Sequence, residues 1–196
     1  RITSNFIRIK SGSWNPLIGV DVHHKTLGII GLGAIGKKVA RRANGFDMLV
    51  LAYDPYIEVL PEEYSFVSLV TIDEVLKNAD FLTIHTPLTE KTRGLIVKKE
   101  IEMMKNGSFI INAAREGIVD ESAVYDFLKS GHLGGAGFDV IDKDSPVKDL
   151  LLSLDNVIIL PHMGMYSGEA LNSVSMVCAR NIIKQFKGEE PENIVV

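Results

Sequence analysis

Cysteine occurs once in the 196 residues, as Cys178, so no disulfide can close within the chain. Stability must then come from a buried apolar core, which suits a reducing compartment. Long apolar runs are missing too: nothing approaches the ~18 residues needed to cross a bilayer, and the opening residues lack a secretory-signal pattern. Nor is there an excess of positive charge. The 21 Lys and Arg against 25 Asp and Glu leave a net charge of −4 and a pI near 5.7, which argues against a nucleic-acid or anionic-membrane surface and favours a small-molecule partner. Position 1 is Arg rather than Met. A cytoplasmic chain is expected, with no metal site, processed, tagged or cut from a larger protein.

What the chain does have is regular alternation. Residues 1–24 read as the end of a helix and a linker, with "SGSWNP" carrying Trp14 on a loop. From Lys25 on, "TLGIIG", "MLVLAYD", "FLTIH", "SFIIN", "GAGFDV" and "NVIILP" are apolar runs of strand length. Helical stretches lie between them, near Ile72–Lys77, Lys98–Met104 and Glu121–Ser130. Strands that are apolar throughout and alternate with helices predict an α/β fold, a Rossmann-type doubly wound parallel sheet in three α/β/α layers. That domain is expected over 25–188, ending in a helix over about 167–187 with Ser167 as N-cap and Gly188 as stop. Residues 189–196 would lead away from it.

"GLGAIG" places Gly31, Gly33 and Gly36 between the first strand and the first helix, the context in which a G-x-G-x-x-G is informative. The first glycine permits a tight turn, the second lets backbone amides approach a pyrophosphate, and the third lets helix and strand pack closely. Asp54, at the end of the second run, is placed to accept hydrogen bonds from an adenosine ribose and to repel a 2′-phosphate, so NAD is expected over NADP. Chemistry belongs beyond the carboxyl ends of the strands. Collected there are His85, Arg115, the acids Asp139, Asp142 and Asp144, and His162. An arginine can grip a carboxylate through its fork, a histidine can protonate a carbonyl oxygen as hydride arrives, and a carboxylate can orient the imidazole. These are the parts needed to reduce a 2-keto acid.

The motifs "HKTLGIIGLGAIG", "YDP", "HTPLTEKTRGLI", "INAAREGIVDE", "GAGFDVIDKDSP" and "LPHMG" resemble, in order and over nearly the whole chain, those of the D-2-hydroxyacid dehydrogenases, and within that family the phosphoglycerate dehydrogenases most. The resemblance implies an NAD-dependent oxidoreductase acting on a D-2-hydroxy acid and its 2-keto partner. Arg115 would bind the substrate carboxylate, His162 would be the acid/base, with Asp144 as its carboxylate partner, and Asp139 would contact the nicotinamide carboxamide. Further cofactor contacts are implied at Ala34, Ile35, Pro55, His85, Thr86, Pro87, Thr92, the backbone around Ala113 and Ala114, and Gly164, besides the three glycines and Asp54. A homodimer through the helices beside the glycine loop and around "DESAVYDFLKSG" is implied as well.

The chain departs from the family pattern in places. Asp144 stands where a glutamate is usual, shorter by one carbon–carbon bond, about 1.5 Å; a formate dehydrogenase would have glutamine there. Ala34 stands where many members carry a basic residue, and Glu116 replaces a common glycine. The substrate domain of the family has no counterpart here, so an excised cofactor domain or a natural truncation is expected, one that binds NAD but barely turns over. An NAD-sensing corepressor-like module of the same fold is the alternative.

Overall fold

The computed structural model describes residues 2–192, and the chain divides into two units after Pro161. Seven strands run through the first unit: β1 (Thr26–Ile30), β2 (Leu49–Tyr53), β3 (Val67–Leu69), β4 (Phe81–Ile84), β5 (Ser108–Asn112), β6 (Leu133–Phe138) and β7 (Val157–Ile159). They form one sheet in the order β3-β2-β1-β4-β5-β6-β7, every pairing parallel. The chain starts at the centre, works out to β3, then returns across β1 to begin β4. That reversal opens a crevice at the carboxyl ends of β1 and β4, where open α/β sheets take their ligands.

All five residues of β1 are buried, because its two faces serve two cores. Leu27 and Ile29 pack with Ala40, Ala43, Val50, Ala52 and Val67. Ile30 packs with Val75, Leu76, Leu82, Ile84 and Ile110. Burying an isoleucine fully contributes roughly 1.5–3 kcal/mol, so a strand apolar at every position is held from both sides. The layers come from α2 (Ala34–Asn44) on one face and α3 (Ile72–Asn78), α4 (Lys98–Met103) and α5 (Glu121–Lys129) on the other. Helix α3 begins with a capping box: the Thr71 hydroxyl accepts from the Glu74 N–H, and the Glu74 carboxylate accepts from the Thr71 N–H at 2.9 Å. This is the doubly wound, three-layer arrangement predicted from the sequence.

Three details differ from that prediction. Strand β3 and the short helix α6 (Lys148–Leu152) are additional; β3 spans three residues, too few to set up a pattern. On the α2 side of β4–β7 the cover is thin. Only α1 (Ile2–Lys10) and the segment with Ile18 and Val20 from the first unit lie there, over a cavity of about 370 Å³ floored by stacked Phe81 and Phe109. Trp14 sits on the exposed linker, as the sequence predicts.

The second unit holds α7 (Gly168–Lys187). The Ser167 hydroxyl accepts from the Ala170 N–H at 3.1 Å, and Gly188 stops the helix in the left-handed region at φ 71°, so both predicted ends are where sequence chemistry puts them. The expected return segment reaches residues 193–196, which lie outside the described residues, as does residue 1. Among the described residues no helix is long and apolar enough to cross a membrane, and no three His, Cys, Asp or Glu side chains are grouped to hold a metal.

Candidate active site

The glycine loop closes β1 and opens α2, and each glycine has a measurable reason. Gly31 has φ 91°, and a Cβ there would lie 2.8 Å from both the His85 carbonyl carbon and Thr86 Cγ2. At Gly36 a Cβ would collide with the Gly31 carbonyl oxygen, so helix and loop can close only on a hydrogen atom. Gly33 is different: a Cβ there would meet nothing within 4 Å. Its lack of a side chain leaves open space in front of the α2 N-terminus, where Gly33 is the N-cap and no side chain caps the first amides. Uncapped amides and the positive end of the helix dipole suit an anion. Ala34 and Ile35 form the exposed first turn.

Asp54, just past β2, holds this loop from the side. Its Oδ2 accepts from the Leu32 N–H at 2.8 Å, and its Oδ1 accepts from the Tyr56 N–H at 3.0 Å. Each carboxylate oxygen keeps a further lone pair for a ribose hydroxyl. The carboxylate therefore anchors the glycine loop and keeps acceptor capacity besides, a link the sequence does not display because the partners are 22 positions apart. Pro55 follows on the exposed side.

Across the crevice, His85 and Thr86 end β4. The His85 N–H donates to the Ile30 carbonyl at 2.8 Å, and Nε2 lies 3.0 Å from Thr83 Oγ1. Burial pushes the His85 imidazole below its ordinary pKa of 6.5, favouring its neutral form. Its Nδ1 and the Thr86 hydroxyl oxygen are buried without a protein partner. A loose ring of polar atoms around an open glycine turn, with a carboxylate at the ribose end, fits a dinucleotide. Thr92 shapes the Pro87–Thr92 turn: its hydroxyl donates to the Pro87 carbonyl at 2.6 Å and accepts from the Thr89 N–H at 2.8 Å.

Arg115 stands on the loop after β5, exposed between buried Ala114 and exposed Glu116. A short parallel pairing of Ile96 with Val119 ties down the far side of that loop, and the carbonyl of Gly117, at φ 75°, accepts from the Gly94 N–H at 2.8 Å. Its near side is held by Asn112, a residue sequence reasoning passed over. Asp139 directly follows β6, and its N–H donates to the Asn112 carbonyl at 3.0 Å. Asp142 and Asp144 lie on an exposed turn, where the Asp144 N–H donates to Asp142 Oδ1 at 2.9 Å and the Asp142 N–H donates to Glu121 Oε1 at 2.9 Å. The first unit thus gathers Gly31, Gly33, Asp54, His85, Arg115 and Asp139 along one carboxyl edge of the sheet. His162, with φ 52°, and Gly164 open the second unit.

Comparison with known proteins gives this arrangement relatives. Residues 1–164 match the family described as "D-isomer specific 2-hydroxyacid dehydrogenase, NAD binding domain". The chain is 43% identical over 190 residues to a D-3-phosphoglycerate dehydrogenase of Methanocaldococcus jannaschii, a match covering 95% of the chain and 36% of that enzyme. With a glyoxylate reductase of Korarchaeum cryptofilum it shares 39% over 186 residues, 93% of the chain and 56% of the reductase. Its fold superposes on a D-lactate dehydrogenase of Aquifex aeolicus, crystallised with NAD and lactic acid, with a TM-score of 0.86 at 29% identity, covering 96% of the chain and 62% of the other. The chain spans between about a third and two thirds of the length of these relatives.

Proposed function

The chain belongs to the NAD-binding domain family of the D-isomer specific 2-hydroxyacid dehydrogenases, and from that premise we propose that it is the cofactor half of an enzyme interconverting a D-2-hydroxy acid and its 2-keto acid. Phosphoglycerate is the substrate we favour, on the 43% identity to a phosphoglycerate dehydrogenase. The relatives' names are those of enzymes, which does not favour the corepressor-like module. When bound, NADH supplies the hydride that converts the carbonyl carbon to a carbinol. Arg115 grips the substrate carboxylate through its fork. His162, protonated, gives its proton to the carbonyl oxygen as the C–O double bond becomes single, and Asp144 is the carboxylate of the catalytic set. Asp139 and the backbone at Ala113 and Ala114 hold the nicotinamide end; Gly31, Gly33, Gly36 and Asp54 hold the pyrophosphate and ribose. We further propose a cytoplasmic homodimer.

The observation that carries this reading is an exposed arginine on the same carboxyl edge as the open glycine turn. Its test is NADH oxidation over a panel of 2-keto acids, by this chain and by the complete enzyme that contains it. Positioning and shielding of substrate can lower a barrier by roughly 7–11 kcal/mol, and in this reading the substrate domain supplies them. The complete enzyme should therefore turn over and the chain alone should bind NADH with little turnover. Arg115→Ala should abolish productive keto-acid binding while leaving NADH affinity nearly unchanged. Full activity of Arg115→Ala, or of the chain alone, would overturn the reading.

A further inference from the structure

Asn112 is the last residue of β5 and only 2% exposed. Its carboxamide is used on both sides by the loop that carries Arg115. Oδ1 accepts from the Ala114 N–H at 3.1 Å, and Nδ2 donates to the Arg115 carbonyl at 2.9 Å. Only one orientation of the amide satisfies both, since the flipped form would set N–H against N–H and oxygen against oxygen. Arg115 completes the knot: its guanidinium donates to the Ala114 carbonyl at 2.7 Å. Ala114 is thus gripped at both of its flanking peptides, at its N–H by Asn112 and at its carbonyl by the arginine. The main-chain carbonyl of Asn112 meanwhile accepts the Asp139 N–H. One buried residue sets the height of the arginine loop and borders the end of β6.

We propose that Asn112 is a positioning residue for Arg115, fixing the loop so that the guanidinium meets the substrate carboxylate in one place. This rests on the reading of Arg115 as the substrate-binding arginine. The bonds count because Asn112 is itself buried, and a donor or acceptor left unpaired beside it is costly. An alanine at 112 would leave the Ala114 N–H and the Arg115 carbonyl without their partner. An aspartate is nearly isosteric, and it makes a sharper test. Ionised, it turns an oxygen lone pair toward the Arg115 carbonyl and repels it; protonated, its O–H donates to that carbonyl and the brace is restored. Burial and the facing carbonyl raise the pKa of such a carboxyl. The charged or titratable neighbours are Arg115 and Glu116 on the loop, His85 and Asp139 at the ends of the flanking strands, and Arg93, whose guanidinium approaches Gly117. All are common to parent and variant, so the ratio of the two isolates position 112.

The experiment measures kcat and KM for the keto acid in the complete enzyme, for the parent, Asn112→Asp, Asn112→Ala and Arg115→Ala. Asn112→Asp should lose about 10- to 100-fold in kcat/KM at alkaline pH and regain it, relative to the parent, as pH falls. Asn112→Ala should lose as much with no regain, and for both the change should fall on keto-acid KM and kcat far more than on NADH affinity. A pH-independent ratio for Asn112→Asp, or parent-like Asn112→Ala, overturns the proposal while Arg115→Ala remains inactive. Parent-like Arg115→Ala overturns the underlying reading instead. If Asn112→Asp does not fold, Asn112→Ser in this chain decides by amide hydrogen exchange. Faster exchange confined to Ala114–Gly117 supports the brace; an equal rise throughout β5 and β6 refutes it.

Discussion

Two neighbouring glycines of one loop should answer to the same substitution in opposite ways. A Cβ on Gly36 would overlap the Gly31 carbonyl oxygen and lie 3.2 Å from the Gly31 carbonyl carbon and 3.5 Å from Ile29 Cγ2. Backbone at a strand–helix junction cannot yield as a flexible side chain can, so Gly36→Ala should cost about 1–3 kcal/mol as overpacking. For a domain of this size, that is a fall of about 2–12 °C in Tm. Gly33 sits at φ −70°, ψ −160°, which alanine adopts without strain, and its Cβ would touch no protein atom. Gly33→Ala should leave Tm within about 2 °C of the parent, or raise it slightly by restricting the unfolded chain. Its methyl would instead stand where a pyrophosphate approaches the amides, so NADH affinity should fall at least about tenfold, or 1.4 kcal/mol. Differential scanning calorimetry and titration calorimetry on this chain measure both quantities. The reasoning fails if Gly33→Ala binds NADH like the parent, or if Gly36→Ala melts like the parent.

Asp54→Ala removes a ribose acceptor and the anchor of Leu32 together; NAD affinity should fall by at least about tenfold, NADP affinity should fall less, and parent-like discrimination by titration would refute the assignment. His85 is held below its ordinary pKa of 6.5 by burial, so its contribution to stability is full above that pH and is lost as pH falls through the lower folded value; His85→Gln should flatten that portion of a urea-midpoint profile. For Asp80, burial works to raise the pKa, but hydrogen bonds from the Thr26 N–H and Lys105, with the charges of Lys105 and Lys25, outweigh it and hold the carboxyl below 3.8. That stabilisation is full above about pH 3.8 and is lost as pH falls through the folded value. Asp80→Asn should lower the urea midpoint at pH 7 and remove this strongly acid limb.

What could be read from the sequence was whatever repeats locally. The glycine turn between "TLGIIG" and "AIGKKVARRA", the ends of α7 at Ser167 and Gly188, and the alternation that specifies a parallel sheet all depend on neighbours within a few residues. Strand β3 escaped because three residues carry no period, and α6 because five residues barely make a turn. The braces at the site escaped for another reason. Asp54 reaching Leu32 depends on β2 lying beside β1, a fact of strand order. The Asn112 carboxamide reaches only three positions along the chain, yet its value comes from its own burial at the end of β5, which composition does not reveal. The direction of the Thr92 hydroxyl, turned to the Pro87 carbonyl, is likewise a matter of turn geometry.

The central strand also sets a timetable for synthesis. β1 is the first strand of this sheet to be made, and all five of its residues are enclosed, yet neither of its ladder partners precedes it. The N–H of Thr26, at its start, waits for Asp80, 54 positions downstream. At a translation rate of roughly 5–20 residues per second, that wait lasts about 3–11 s. Throughout it the run Leu27–Ile30 has no β4 to pair with, and for most of it no α3 to cover Gly28 and Ile30. A ribosome-bound chain stopped before Asp80 should therefore be a ready substrate for chaperones that bind short apolar segments, and release should come only once β4 has left the exit tunnel.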